Sequence, residues 1–143
     1  MNDLFSKQAT ALYKGVWDMI QKGEEPSGGA AIIAAVMKEH PEFNPFWEAG
    51  ETAFYPHEIQ GFVVNPLVHT GLHVIIEKQL LEENPAEVGL ALGHLIEKGT
   101  TRHEALHRIA ALWGDLYFRS VRQGNPFDDG AYLQELMSLA QDQ

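Results

Sequence analysis

The chain has 143 residues, 45% of them hydrophobic, including three Trp and seven Phe, a composition that suits one globular domain with a real core and excludes a disordered chain. It has no Cys, which removes disulfides, thiolate metal sites and cysteine nucleophiles and fits a reducing interior. Twenty acidic residues against ten basic ones give a formal charge of −10. That balance repels nucleic-acid phosphates and anionic lipid, and no Lys/Arg stripe offsets it, so neither nucleic acid nor a membrane is an expected partner.

The N-terminal MNDLFSKQATALYK lacks the basic start and apolar run of a signal peptide. No apolar stretch approaches the ~20 residues of a transmembrane helix. A soluble, cytoplasmic protein is the expectation. Residues 3–22 place Leu4, Phe5, Leu12, Tyr13, Val16, Trp17 and Ile20 on one stripe, an amphipathic helix ended by Gly23. The turn EEPSGG leads to a small-residue helix, AAIIAAVMKEH, stopped by Pro41. Residues 41–64 then lose periodicity while holding Phe43, Phe46, Trp47, Phe54 and Tyr55. So many rings are costly to leave in water, which predicts an ordered, aromatic-packed crossover.

Asn65-Pro66 is a helix start, with Asn as N-cap and Pro at the first helical position. The helix it opens, LVHTGLHVIIEKQLLEE, stops at Asn84-Pro85, which repeats the signal for a shorter helix through Lys98, ended by Gly99. Thr101 and Glu104 form an S/T-x-x-E capping box for a long helix reaching about Gln123. Gly124-Asn125-Pro126 breaks it, and Asp128 or Asp129 begins the last helix, AYLQELMSLAQ. No strand alternation or hairpin dipeptide competes. The predicted fold is all-α, a single-domain bundle of five or six helices over residues 1–143.

Two histidine pairs stand at helical spacing, His69 and His73 in HTGLH, and His103 and His107 in HEALH. Residues four apart lie on one helix face, so each pair offers a two-point grip on a metal ion. Glu77 extends the first face at i+4 from His73, and Glu104 lies inside the second pair. Imidazole with carboxylate suits zinc, iron or manganese better than calcium or magnesium. The expected metal ligands are therefore His69, His73, Glu77, His103 and His107, on two helices that would face each other. Glu104 is the candidate proton acceptor, and zinc or iron the expected cofactor. Each carboxylate has a plainer alternative: Glu104 as capping-box partner, Glu77 in a solvent pair with a nearby Lys. His40, His57 and His94 are isolated and are read as non-ligands.

HEALH fits the HExxH pattern of zinc peptidases, in which two His bind zinc and the Glu activates water. The following RIAALWGDLY lacks the glycine and third histidine of one large peptidase group, and no edge strand is signalled to hold a peptide. A carboxylate-bridged di-iron bundle wants two ExxH pairs, and only Glu104 with His107 supplies one. His73-x₃-Glu77 followed by His103-x₃-His107 resembles the hemerythrins, helical bundles with a histidine-rich di-iron centre. That likeness covers two short motifs, and the family's later His-x₄-Asp element is absent.

A broader resemblance covers most of the chain. NPLVHTGLHVIIEKQ, TRHEALHRIAALWGDLYFRSVRQGNPFDDGAYLQEL, the N-terminal helix and the segment Glu39 to Phe43 together resemble a bacterial family, domain of unknown function 1841. The resemblance implies that His69, His73, His103, Glu104 and His107 belong to the family's signature segments, and implies no activity. The expected function is a bundle with a transition-metal site, acting as a metal-dependent hydrolase or oxidoreductase. The alternative is a metal-free interaction module that docks a protein partner or a second copy, with structural histidines.

Overall fold

Helix α1, Lys7–Gln21, opens a computed structural model that describes residues 7–141. Its buried stripe is Tyr13, Val16 and Trp17, as the 3.6-residue period requires. Leu12, expected on that stripe, is instead 57% exposed. Leu4 and Phe5 lie outside the described residues. The Trp17 indole donates to the Glu48 carboxylate at 2.6 Å, tying α1 to the short helix α3, Asn44–Ala49.

Helix α2, Gly29–Lys38, is followed by a 3₁₀ turn at Pro41–Phe43, α3, and a second 3₁₀ turn at Glu51–Phe54. Two three-residue strands close the segment, β1 at His57–Ile59 and β2 at Phe62–Val64, paired antiparallel with Ile59 opposite Phe62. The 41–64 crossover is thus ordered, and its rings Phe43 and Trp47 are in the core. The hairpin corrects the expectation of no strands. Gln60 and Gly61 both take positive φ, 54° and 87°, the two-residue turn that matches strand twist. Gln is a poor advertisement for that conformation, so the dipeptide gave little signal.

Helix α4, Pro66–Glu82, begins where expected: the Asn65 side chain accepts from the Val68 N–H at 3.1 Å. Helix α5, Ala86–Glu97, starts differently from the prediction, because Pro85 is its N-cap in extended conformation and Asn84 makes no cap. Helix α6, Arg102–Gln123, has Thr101 as N-cap, its hydroxyl accepting from the Glu104 N–H at 3.2 Å. It ends at Gly124 in the left-handed conformation, φ 69°, which costs Gly little. In helix α7, Asp129–Gln141, the Asp128 carboxylate accepts from the Ala131 N–H at 3.0 Å.

The described residues therefore form a mostly helical chain of seven α-helices and one small hairpin. The seventh helix beyond the expected six is α3, inside the crossover. The chain divides into two compact units with the boundary inside α4: the first runs to Val74, the second from Ile75. In the first, Tyr13, Val16, Ile33, Val36, Met37, Phe43, Trp47 and Leu67 share one core. In the second, α5 packs on α6 and α7, burying Val88, Leu95, Leu106, Ile109 and Leu136. No helix among the described residues is long and apolar enough to cross a membrane.

Two stability effects follow from these elements. Thr101→Ala removes the acceptor for the Glu104 N–H and is expected to cost about 1 kcal/mol, a melting-temperature fall of about 2–4 °C by thermal unfolding. Burial pushes the Tyr13 phenol from about 10 up to about 12. It raises Tyr132 too, against the opposing effect of a hydrogen bond with Gln79. The native state thus holds phenol protons that the unfolded chain releases. The stabilisation is complete below about pH 10; the Tyr13 part is lost as pH rises from about 10 to about 12, and the Tyr132 part declines over the same range and beyond it. Denaturant unfolding across that range should show the decline, and Tyr13→Phe should flatten part of it.

Candidate metal centre

His40 terminates α2, because Pro41 disfavours helical backbone in the residue before it. The chain breaks there at φ −129°, ψ 63°, and the imidazole turns back over the helix end. Its Nδ1 donates to the Val36 carbonyl at 2.9 Å, which also accepts from the Glu39 N–H at 3.1 Å in the tightened last turn of the helix. A carbonyl can only accept, so in the neutral ring this bond puts the proton on Nδ1 and makes Nε2 the candidate ligand atom. Metal-binding histidines are oriented in just this way by a carbonyl behind them.

His69 and His73 follow from the start of α4. With the helix anchored at Asn65, position 69 lies one turn in and position 73 one turn further on the same face. Their rings are 4.9 Å apart between centroids, and His40 lies 5.0 Å from His69 and 4.8 Å from His73. The candidate ligand nitrogens of the three all lie within 4.8 Å of one another. His40 and His73 are 2% and 4% exposed, and the Nε2 atoms of all three are shut off from solvent. Phe43 closes one side, its ring stacked on His40 at 5.4 Å and standing edge-on to His69 at 5.4 Å. The result is a set of three imidazole nitrogens closed off from solvent, on two buried rings and one half-buried ring, with an aromatic wall.

In the second unit His103 and His107 share a face of α6, with ring centroids 4.5 Å apart, as their spacing predicts. Both are half-buried. Glu77 belongs to a different arrangement: both its carboxylate oxygens accept from the Arg102 guanidinium, at 3.1 and 3.0 Å. The predicted solvent partner was a Lys; the fork of Arg102 fits a carboxylate better. Glu104 is exposed in the first turn of α6, where its N–H meets Thr101 and the helix dipole favours its charge.

His40 was read from sequence as isolated, and it stands beside His69 and His73. No spacing rule joins a residue to a pair 29 and 33 positions later; the reversal through the crossover does. The available signal was the Glu39–Phe43 segment, which the family resemblance includes. His57 has a structural role, its Nε2 donating to the Thr52 carbonyl at 2.6 Å beside the Phe46 ring.

No curated protein and no solved structure matches the chain. A family model does match it, over residues 6–138, almost the whole chain and every helix that holds a histidine discussed above: the chain belongs to the family described as domain of unknown function (DUF1841).

Proposed function

We propose that this protein binds a transition-metal ion through His40, His69 and His73, and that His103 and His107 are a further ligand pair on α6. The observation that supports the reading is the trio itself, three ring nitrogens within 4.8 Å and closed off from solvent, one with its tautomer set by Val36. Three imidazoles and no carboxylate favour borderline metals such as zinc, iron, nickel or copper over calcium and magnesium. Zinc or iron remains the proposed cofactor.

Three protein nitrogens match the donor number of catalytic zinc sites, which keep a further position for water or substrate. A bound ion there would supply Lewis acidity, and the reaction class proposed is metal-assisted hydrolysis or oxidation. The ligand set departs from the sequence expectation at Glu77, which Arg102 occupies. Glu104 is assigned to capping rather than proton transfer, because it is exposed in a helix's first turn. Elemental analysis of protein purified without a histidine tag tests the reading. About one equivalent or more of zinc, iron, nickel or copper per chain is expected. Less than about a tenth, with no uptake on titration, overturns it.

A second reading, a protein-docking module, rests on the hairpin. Phe62 and Val63 are 71% and 78% exposed, and Tyr55 nearby is exposed as well. Apolar side chains of that size in water are a common mark of contact surfaces. A protein devoid of metal whose stability ignores chelator would favour this reading.

A further inference from the structure

We propose that a cavity in the second unit, walled by Trp113, Phe127 and Tyr132 and bordered by Asp129, binds a small organic cation of the alkylammonium class. The cavity measures about 570 Å³, the size of sites that hold small organic ligands. Phe127 stacks on Trp113 at 5.2 Å with 25° between planes, and stands nearly perpendicular to Tyr132 at 5.8 Å and 77°. Trp113 also stacks on Tyr117 at 5.0 Å, so the ring surface left to the space comes mainly from Phe127 and Tyr132, whose planes stand nearly at right angles. Aromatic faces hold negative charge density, and a cation within about 6 Å of a ring centroid is attracted to them.

The rest of the lining points the same way. Asp129 supplies a carboxylate, Gln79 and Asn84 add polar side chains to the lining, and no Lys, Arg or His lines the cavity among the described residues. An anion would meet Asp129 with nothing to offset it. A small inorganic cation would have to exchange tightly held water for ring faces. An alkylated ammonium has a weakly hydrated surface and a full charge, so it uses both the rings and the carboxylate. The Tyr132 hydroxyl donates to Gln79 at 2.6 Å, which fixes that wall in place between α7 and α4. The chain's formal charge of −10 adds a general attraction for cations.

Choline and 3,3-dimethylbutan-1-ol make the test, being alike in shape and different in charge. Full-length protein treated with chelator is titrated with each by calorimetry and ligand-observed NMR, so the outcome is independent of any metal. Choline is expected to bind, with the neutral alcohol about tenfold weaker or worse. Asp129→Asn, which leaves the aromatic wall and the fold intact, should weaken choline about three- to tenfold. Phe127→Leu should weaken it by as much again. Equal affinity for choline and the alcohol, no saturation by about 20 mM choline, or binding untouched by Asp129→Asn and Phe127→Leu would each overturn the proposal.

Discussion

His73→Gln is expected to strip the protein of most of its transition metal and to abolish the response of its melting temperature to chelator. Gln keeps the approximate volume and a polar terminus but offers no imidazole nitrogen, so the fold has a fair replacement and the ion does not. His40→Gln should act in the same direction, lowering affinity by about 10–100-fold or more, since His40 contributes both a nitrogen and a fixed tautomer. An ion that binds the native state alone stabilises it by about 2.7 kcal/mol when present at a hundred times its dissociation constant. For a chain of this size that is a shift of about 5–10 °C. Wild-type protein should therefore melt lower by this order in chelator, and His73→Gln should melt at the lower temperature with or without it. His57→Gln is the control: that ring, at the start of the hairpin, serves the Thr52 carbonyl of the preceding 3₁₀ turn, and its loss should leave the metal content unchanged. The double variant His103→Gln/His107→Gln extends the same measurement to α6, where lower metal content is expected. If His73→Gln and His40→Gln both retain the wild-type metal content, the trio does not hold it.

What was legible in the sequence is what local physics writes there. Asn65-Pro66, Thr101 with Glu104, and Gly124 each mark a helix end by satisfying or releasing backbone groups, and all three marks fall where the helices begin or stop. The HxxxH pairs were legible for the same reason, since a spacing of four sets two side chains on one face. Asn84-Pro85 shows the limit of such signals. The same dipeptide that starts α4 leaves α5 with Pro85 as an uncapped N-terminus, because the preceding Glu83 already takes φ 53° and turns the chain there.

The remaining differences concern contacts distant in sequence. His40 joins His69 and His73 only once the crossover has folded, and Glu77 meets Arg102 across 25 residues. A carboxylate four residues from a histidine is as available to a guanidinium as to a metal, and spacing alone does not choose between them. The pair is partly exposed, 51% at Arg102 and 20% at Glu77, so its direct contribution to stability is small. Its larger consequence is chemical: both Glu77 oxygens accept from Arg102, so the ligand set proposed above is built from imidazoles alone.

A set of imidazole donors closed off from water depends on its wall, and Phe43→Ala should show how much. Phe43 is almost fully buried, belongs to the core of the first unit, and touches both His40 and His69 through its ring. Removing the ring leaves a cavity among well-packed side chains, expected to cost about 3–5 kcal/mol in denaturant unfolding. That is a large share of the stability of an ordinary domain. The same deletion frees His40 on the side away from Val36 and lets water reach nitrogens that are now dry, so metal affinity should fall with stability. Phe43→Leu separates the two effects. Leucine restores most of the volume, and the stability loss should shrink to about 1–1.5 kcal/mol. The flat ring that stacks on His40 at 6° is still missing, so the imidazole keeps its Nδ1 bond but loses its second restraint. Metal affinity measured by competition with a chromophoric chelator should therefore recover less than stability does. Affinity tracking stability in strict proportion through both variants would mean that Phe43 serves the core alone, and that the Val36 bond suffices to aim His40.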